Sequence, residues 1–332
     1  MNIAFVGGHG HHYLRQTLAP GGHRAAVCGD GHDAAAARAR AAAIPGAAWY
    51  DELETMLDGF RPDVASVGAV YGFNGDLIAA VLARGIPVVS DKPVAATAEQ
   101  LARLRQLAVG PARLITEFPF RSLPEYRAAH DAVRAGKIGA PILAIAQKSY
   151  QFKTRPAWYG DRRAYGGTML WVASHALDAV EFVSGRRFRR VCGRQGNLAR
   201  PDYREFEDHV VLLGELEGGG TAVVHADYHL PAGAGRHGDD RLRLTGDRGV
   251  IEVRDGDCRL LDHAATTPLA PDAPPRPVGD ALLAAALGRD DSLYHTAASL
   301  RTAALLLACR AAADEETWRD VDGRPLNPRT NG

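Results

Sequence analysis

The chain has no surplus of either charge: 39 lysines and arginines balance 39 aspartates and glutamates over 332 residues. That balance removes the electrostatic footprint of a dedicated nucleic-acid binder, so no nucleic-acid partner is expected. Long apolar runs are missing too. None approaches the roughly 20 residues needed to cross a bilayer. The amino terminus opens on Asn2-Ile-Ala-Phe-Val-Gly, a strand, rather than on a basic stretch followed by an apolar one. No membrane association and a cytoplasmic location are the expectations. Cysteine is scarce: Cys28, Cys192, Cys258 and Cys309 lie too far apart for metal-ligand spacing or a disulfide framework, and read as reduced, mostly buried thiols. There is no internal repeat and no low-complexity tail.

What is present is ordinary globular composition, with 46% apolar and 23% charged residues, and length enough for two domains. The first part alternates strand and helix. Strands are expected at Asn2–Val6, Arg24–Cys28, Asp63–Val67, Ile86–Val89 and Leu114–Thr116. Helices are expected at Asp33–Ala43, Gly75–Arg84 and Thr97–Leu107, the last with Thr97 as N-cap. Repeated βα units of this length predict a doubly wound parallel sheet, a Rossmann-type α/β domain over residues 1–120. The second part, residues 121–332, predicts an α+β domain with a mostly antiparallel open sheet. Helices are expected there at Pro124–Ala135, Trp171–Val183 (with Gly185 beyond its end) and Ser299–Ala313, and strands at Pro141–Tyr150, Asp208–Leu216, Thr221–Tyr228, Arg241–Thr245, Val250–Val253 and Arg259–Leu261. The turns between the later strands are glycine- and aspartate-rich. Pro268–Pro277 reads as a surface loop.

The most informative segment is Ile86-Pro-Val-Val-Ser-Asp91-Lys92-Pro93. A buried parallel strand reads as such a continuous apolar run. In open α/β sheets ligands gather outside the carboxyl ends of the strands, where Lys92 would sit. A partly desolvated lysine there can exchange protons near neutral pH. The first strand ends in Gly7-Gly8-His9-Gly10-His11-His12, the place of a dinucleotide-binding turn, where backbone must approach a pyrophosphate. The GxGxxG spacing is incomplete in either register: from Gly7 the later glycines are His9 and His12, and from Gly8 the third is Tyr13. Gly7, Gly8, His9, Gly10 and His11 are the cofactor-binding candidates. Adjacent histidines at such a turn do not readily converge on one ion, so no metal is expected. Asp30, just past the second strand, suits the ribose hydroxyls of NAD and repels a 2′-phosphate, so NAD is favoured over NADP.

These segments resemble the glucose–fructose oxidoreductase / inositol dehydrogenase / rhizopine-catabolism family of NAD(P)-dependent oxidoreductases. Asp91-Lys92-Pro93 looks like that family's Glu-Lys-Pro. Glu117-Phe118-Pro-Phe-Arg121-Ser-Leu-Pro124 with Ala135-Gly-Lys-Ile-Gly-Ala-Pro141 resembles its crossover into the second domain. Gly166-Gly167-Thr-Met-Leu-Trp171-Val-Ala-Ser-His175-Ala-Leu-Asp178 resembles the start of its catalytic helix, and Arg241 to Glu252 its late hairpin. The likeness runs in order along nearly the whole chain. It implies hydrogen transfer between a nicotinamide and the carbinol carbon of a sugar or cyclic polyol, with Lys92 and His175 as the acid/base groups at the reacting hydroxyl. Lys92 suits a donor to the alkoxide and His175 a proton acceptor, with the roles exchangeable. The proline after Lys92 fixes the backbone that aims it, a cis bond being one way. Asp91, Lys92 and Asn74 join the cofactor-binding candidates.

Three departures stand out. Trp171 replaces the family's aspartate four residues before the histidine. Asn74 stands where the family often has a histidine, and Ala69-Val70-Tyr71 replaces its Thr-Pro. The glycine turn is incomplete. Asp178, one turn beyond His175, either orients it or faces solvent. Between the landmarks, Arg155, Trp158, Tyr159 and Tyr165 lie in a loop rich in rings and guanidinium groups, suited to a hydroxyl-rich substrate. With Trp171 and His175 they are the substrate-binding candidates; packing is the alternative for each. The leading function is an NAD(H)-dependent sugar or polyol oxidoreductase. The alternatives are a glycoside-cleaving enzyme that uses NAD in a transient redox cycle, and a non-catalytic sensor of sugar or cofactor. The open sheet face needs covering, which relatives achieve by pairing subunits, so a homodimer or homotetramer is expected.

Overall fold

The computed structural model describes residues 1–290 and 292–321. They form two compact units. The first takes Met1–Ser122, Arg162–Gly166 and Arg276–Ala303; the second takes Leu123–Asp161, Gly167–Pro275 and residues 304–321.

The first unit is built on six parallel strands: β1 (Asn2–Val6), β2 (Arg24–Cys28), β3 (Ala48–Tyr50), β4 (Val64–Val67), β5 (Val88–Ser90) and β6 (Leu114–Thr116). Their order is β3-β2-β1-β4-β5-β6, and every pairing is parallel. The doubly wound sheet read from the sequence is present. β5 begins two residues later than the apolar run, because Pro87 has no N–H to give the ladder. Ala34–Ala42 is a helix capped by Asp33, whose side chain accepts from the Ala36 amide, and Ala98–Leu107 is capped by Thr97. The sheet's core holds Ile3, Phe5, Val27, Val64, Val89 and Ile115, together with Leu282 and Ala285 of the helix Val278–Ala286.

The first crossover is irregular. The glycine turn does not open a regular helix. It leads into a 3₁₀ segment, Tyr13–Thr17, and then a single turn, Leu18–Gly21. Pro20 and the left-handed Gly22 (φ 59°) stop the helix there. A helix dipole aimed at a pyrophosphate is therefore not part of this turn.

Among the described residues the second unit carries nine further strands, β7 to β15: Pro141–Tyr150, Phe188–Gly196, His209–Leu216, Thr221–Asp227, Gly238–Gly246, Val250–Arg254, Asp257–Leu261, Thr266–Pro268 and Arg319–Asp320. Their order is β14-β13-β12-β11-β7-β10-β9-β8-β15, antiparallel except for β7 beside β10. Burial alternates along β9 and β10, so one face is packed. The helix Ala173–Ser184 contacts β7, β10 and β11. On the other face Leu143, Ile145, Val211 and Leu213 are exposed. The expected helix Trp171–Val183 is interrupted at Val172: Thr168–Trp171 is one turn and Ala173–Ser184 the main helix. The joint shows as a shortened bond, His175 N–H reaching back three residues to Val172 O (3.4 Å). Gly185 caps the end in the left-handed region (φ 66°). No helix among the described residues is long and apolar enough to cross a membrane.

Candidate active site

The strand order reverses between β1 and β4, and a parallel sheet is open to ligands beside such a switch point, at its carboxyl edge. The register brings four strand ends together there: Val6 pairs with Cys28 on one side and Val67 on the other, and Val67 with Ser90. The residues that follow these ends are Gly7, Gly29, Gly68 and Asp91, all on one edge.

The glycine turn is held tightly. Gly7 N donates to Cys28 O (3.0 Å), Gly68 N to Val6 O (2.9 Å) and His9 N to Gly68 O (2.7 Å). Gly8 packs so closely on the helix Ala34–Ala42 that a Cβ would lie 2.1 Å from the carbonyl carbon of Ala36. Gly10, with φ +70°, leaves room for Asp91: a Cβ would meet its Oδ2 at 2.3 Å. The three histidines diverge. His9 Nε2 faces Asp33 (3.0 Å), His11 Nδ1 faces Asp91 (3.0 Å) and His12 Nδ1 faces the Ser66 hydroxyl (2.7 Å). Burial, with Arg40 beside it, lowers the His12 pKa from 6.5 to about 3, so that ring is neutral at physiological pH.

This edge fits a dinucleotide. At Gly29 a Cβ would meet nothing nearer than Gly31 N at 3.9 Å, so the β2 end is open backbone. Arg40, which the sequence reading did not single out, donates to the carbonyls of Gly8 and Gly10 (3.1 Å each). Burial and the neighbouring Arg15 both lower its pKa, and its Nε is buried without a partner among the described residues. Like charges crowded at a glycine turn suit an anionic ligand. Asp30 is buried. Its Oδ1 accepts from His32 N and Asp33 N (2.9 and 2.7 Å) and its Oδ2 from Val70 N (2.8 Å). Burial alone would raise its pKa, but the three amides outweigh it and keep the carboxylate ionised. Asp30 thus holds the loop after β2 as well as lending it charge.

At the end of β5, Asp91 and Lys92 form a buried pair, both with almost no exposed surface. Asp91 Oδ1 lies 3.2 Å from Lys92 Nζ and accepts from Lys92 N (2.8 Å). Its Oδ2 accepts from His11 N (2.7 Å). Burial opposes the ionised carboxylate, yet Lys92 and His11 together hold its pKa far below the usual range. The Lys92–Pro93 peptide is cis. Asn74 was expected to touch the cofactor. Instead its amide is fully buried and engaged with backbone: Oδ1 accepts from Ala69 N (2.9 Å), and Nδ2 donates to Pro93 O (3.1 Å) and more weakly to Asp91 O (3.5 Å). It braces the segment that presents Lys92.

Glu117 follows β6 as Asp91 follows β5, and its own N–H bonds Ser90 O (2.8 Å). The strand-end rule that singled out Lys92 applies equally to Glu117, which the sequence reading passed over. Its Oε1 accepts from Tyr13 N (3.0 Å). Burial first, then the charge on Asp91, push its carboxyl well above the ordinary range. His11, Asp91 and Glu117 bring one ligand atom each within 4.8 Å. A cation there would compete with Lys92 Nζ, which lies 3.2 Å from Asp91 Oδ1.

The remaining candidates are placed as follows. In the first unit Tyr165 is fully buried and its ring lies 6.3 Å from that of Tyr71. In the second unit Tyr159 is buried in an aromatic cluster with Phe206, and Arg155 stacks its guanidinium over Tyr159 and Tyr228 (5.4 and 5.1 Å). These ring and guanidinium contacts give Tyr159, Tyr165 and Arg155 packing partners. Trp158 is half-buried against Tyr159 (4.6 Å). Trp171, His175 and Asp178 are all buried on or beside the helix Ala173–Ser184, and Thr168 N, at the start of that segment, is anchored by Glu207 (2.8 Å).

Residues 1–116 match the model of an oxidoreductase family with an NAD-binding Rossmann fold, and residues 126–252 match the GFO/IDH/MocA C-terminal domain. Inositol 2-dehydrogenase 2 of Saccharopolyspora erythraea is 26% identical over 247 residues, covering 73% of this chain and 69% of that protein. The rhizopine catabolism protein MocA of Rhizobium meliloti is 24% identical over 55% of this chain; the match spans only 58% of that relative's length. Among solved structures, a Thermotoga maritima protein assigned as an oxidoreductase superposes with a TM-score of 0.90 at 25% identity, covering 96% of this chain and all of that one. Levoglucosan dehydrogenase bound to NADH and levoglucosan shares the fold, with a TM-score of 0.79 at 17% identity over 97% and 99% of the two chains. The chain belongs to the GFO/IDH/MocA family of oxidoreductases, an NAD-binding Rossmann fold followed by that family's C-terminal domain.

Proposed function

We propose that this protein is an NAD(H)-dependent dehydrogenase of a sugar, inositol-like polyol or a derivative of one, with Lys92 and His175 as its acid/base groups. In this reading residues 1–120 bind the dinucleotide and residues 121–332 bind substrate and pair subunits. The observation that carries it is the buried Asp91–Lys92 pair at the carboxyl edge of β5, two strands from the glycine turn. When bound, the nicotinamide supplies the acceptor for the hydrogen that leaves the carbinol carbon with its electron pair. Lys92 and His175 then handle the hydroxyl proton, which must leave as the carbonyl forms. Asp91 keeps Lys92 oriented, and Asn74 fixes the backbone on either side of it. Arg40 lends positive charge to the turn. The two acids after β2, Asp30 and Asp33, favour NAD over NADP, since a 2′-phosphate would face their charge. Relatives named for inositol and levoglucosan point to cyclic, hydroxyl-rich substrates.

The subunit pairing uses the open face of the large sheet. Ile145, Val223 and Leu213 lie in register across β7, β10 and β9, and Ile145 and Leu213 are 41% and 40% exposed. An apolar row of that kind suits a second copy of the chain.

The test is a screen of inositols, aldoses and anhydrosugars with NAD and with NADP, followed at 340 nm. Net accumulation of NADH on at least one polyol, with NAD preferred, is the expected outcome. Cleavage of a glycoside without net NADH would establish the transient redox cycle instead. Tight NAD binding with no turnover on any member would leave the sensor reading.

A further inference from the structure

One buried carboxylate of the second unit has no cationic side chain beside it. Asp208, just before β9, is wholly buried, and among the described residues no lysine or arginine pairs with it. Its Oδ2 accepts from two backbone amides, Leu198 N (2.8 Å) and Ala199 N (2.6 Å). Those bonds fix the carboxylate, and its Oδ1 faces two imidazoles: His209 Nδ1 at 2.6 Å and His229 Nε2 at 3.6 Å. A buried carboxylate is costly unless a cationic group or a metal ion answers its charge. Each imidazole is set by a contact of its own. His209 pairs with Gly196 across β9 and β8, and a Cβ on that glycine would meet the ring's Cε1 at 2.9 Å, so the glycine makes room for the imidazole. His229 follows β10, and its N–H donates to Asp227 Oδ1 (2.8 Å), which also accepts from Ser149 Oγ (2.5 Å). One ligand atom from each of Asp208, His209 and His229 lies within 4.8 Å of the others. In a tetrahedral site with bonds of about 2.0–2.1 Å such atoms stand roughly 3.3 Å apart. The 2.6 and 3.6 Å separations lie on either side of that spacing, and the two rings, 36% and 45% exposed, have freedom to adjust.

We propose that Asp208, His209 and His229 form a binding site for a divalent transition-metal ion of zinc's type. Two imidazoles and one carboxylate are donors that zinc takes, with water in the fourth position, whereas calcium and magnesium call for more oxygens. The ion takes the place of the hydrogen that His209 Nδ1 shares with Asp208, and that ring binds it as the Nε2–H tautomer. His229 binds through Nε2. Asp208 and His209 open β9 and His229 follows the paired strand β10, so one ion ties two neighbouring strand ends together. The β9–β10 hairpin, not sequence spacing, brings His229 to the other two, which is why no metal motif marks the site. The group differs from His11, Asp91 and Glu117, where Lys92 already serves the carboxylate. It lies wholly within the second unit and does not depend on the dehydrogenase reading.

Zinc titration of the EDTA-treated full chain, followed by calorimetry, decides it. One ion should bind per chain with micromolar or tighter affinity. His209→Gln and His229→Gln should each weaken binding by about a hundredfold or more. Both rings are partly exposed, so these variants should melt with the parent in the absence of zinc. Added zinc should raise the melting temperature of the parent and leave that of the variants where it was. Cobalt(II) in zinc's place should give the visible absorption of a four-coordinate ion, and His229→Gln should lose it. Asp208→Asn keeps the side chain's size without its charge and should lose the ion as well. His11→Gln, which breaks the other group, should bind zinc as the parent does. Millimolar binding by the parent means an adventitious ion only and overturns the site. So does undiminished affinity in both histidine variants or in Asp208→Asn, and so does loss of the ion in His11→Gln with both histidine variants unaffected.

Discussion

Two side chains at the site have protonation states set against their ordinary chemistry, and they act on stability from opposite ends of the pH scale. Burial holds His12 neutral, its pKa lowered from 6.5 to about 3. The unfolded chain takes up that proton below about 6.5 and the folded one does not, so His12 removes stability as pH falls from 6.5 towards 3, on the order of 3–5 kcal/mol across the window. Glu117 behaves oppositely. Its carboxyl is pushed up, so the folded state keeps a proton that the unfolded state loses above about 4.5, and stability drains as pH rises. Glu117→Gln retains the shape without the penalty. Urea unfolding should show Glu117→Gln more stable than the parent at pH 8 and indistinguishable at pH 4; equal stability at pH 8 would mean that Glu117 is ionised after all.

Residue identities near the strand ends were the most legible part of the site. Lys92 and the glycines of the first turn could be placed because a strand's carboxyl end is a position the pattern of apolar runs reveals. Arg40 could not be found that way. It lies inside an alanine-rich helix, and only the close packing of that helix on Gly8 brings its guanidinium to the turn. The packing of the aromatic loop was hidden for a related reason. Its rings looked suited to sugar, but a ring's sequence neighbours do not disclose that Phe206 and Tyr228, some fifty to seventy residues away, will cover it.

At the scale of elements, hydrophobic runs and caps gave β1, β2, β6 and the helix after Thr97 with little error. Elements with mixed composition escaped. Phe188–Gly196 is a full strand whose alternation is masked by Arg189, Arg190 and Arg194, the first two paired with Glu215 on the neighbouring strand. The contact between the first turn and the helix Ala34–Ala42 makes a sharp prediction. Gly8→Ala forces a methyl against the Ala36 backbone, so it should destabilise the first unit by about 1–3 kcal/mol and weaken NADH binding. A variant with unchanged melting temperature and unchanged NADH affinity would contradict the packing described. The exposed row of the large sheet makes another. Leu213→Lys and Ile145→Lys place charge in an apolar face, so light scattering should show the parent as a dimer or tetramer and both variants as smaller species. A monomeric parent would refute pairing through this face.

For the whole molecule, the order of its elements was readable because each βα unit is local, and the parallel sheet follows from their repetition. Which sheet a late segment joins is not local. Val278–Ala286 lies far along the chain, yet Leu282 and Ala285 complete the core of the first sheet, filling space that nothing in their own neighbourhood announces. The same separation limits the proposed pairing: Lys92 and His175 belong to different units, and the proposal that they share one reaction comes from the family likeness. The account stands or falls on Lys92. Its most direct test is the initial rate of NADH formation by the parent and by Lys92→Met on the best polyol of the screen, with NADH binding measured alongside. The prediction is a loss of at least about a hundredfold in kcat with NADH affinity retained; a Lys92→Met enzyme that binds NADH and turns over at the parent's rate would contradict it.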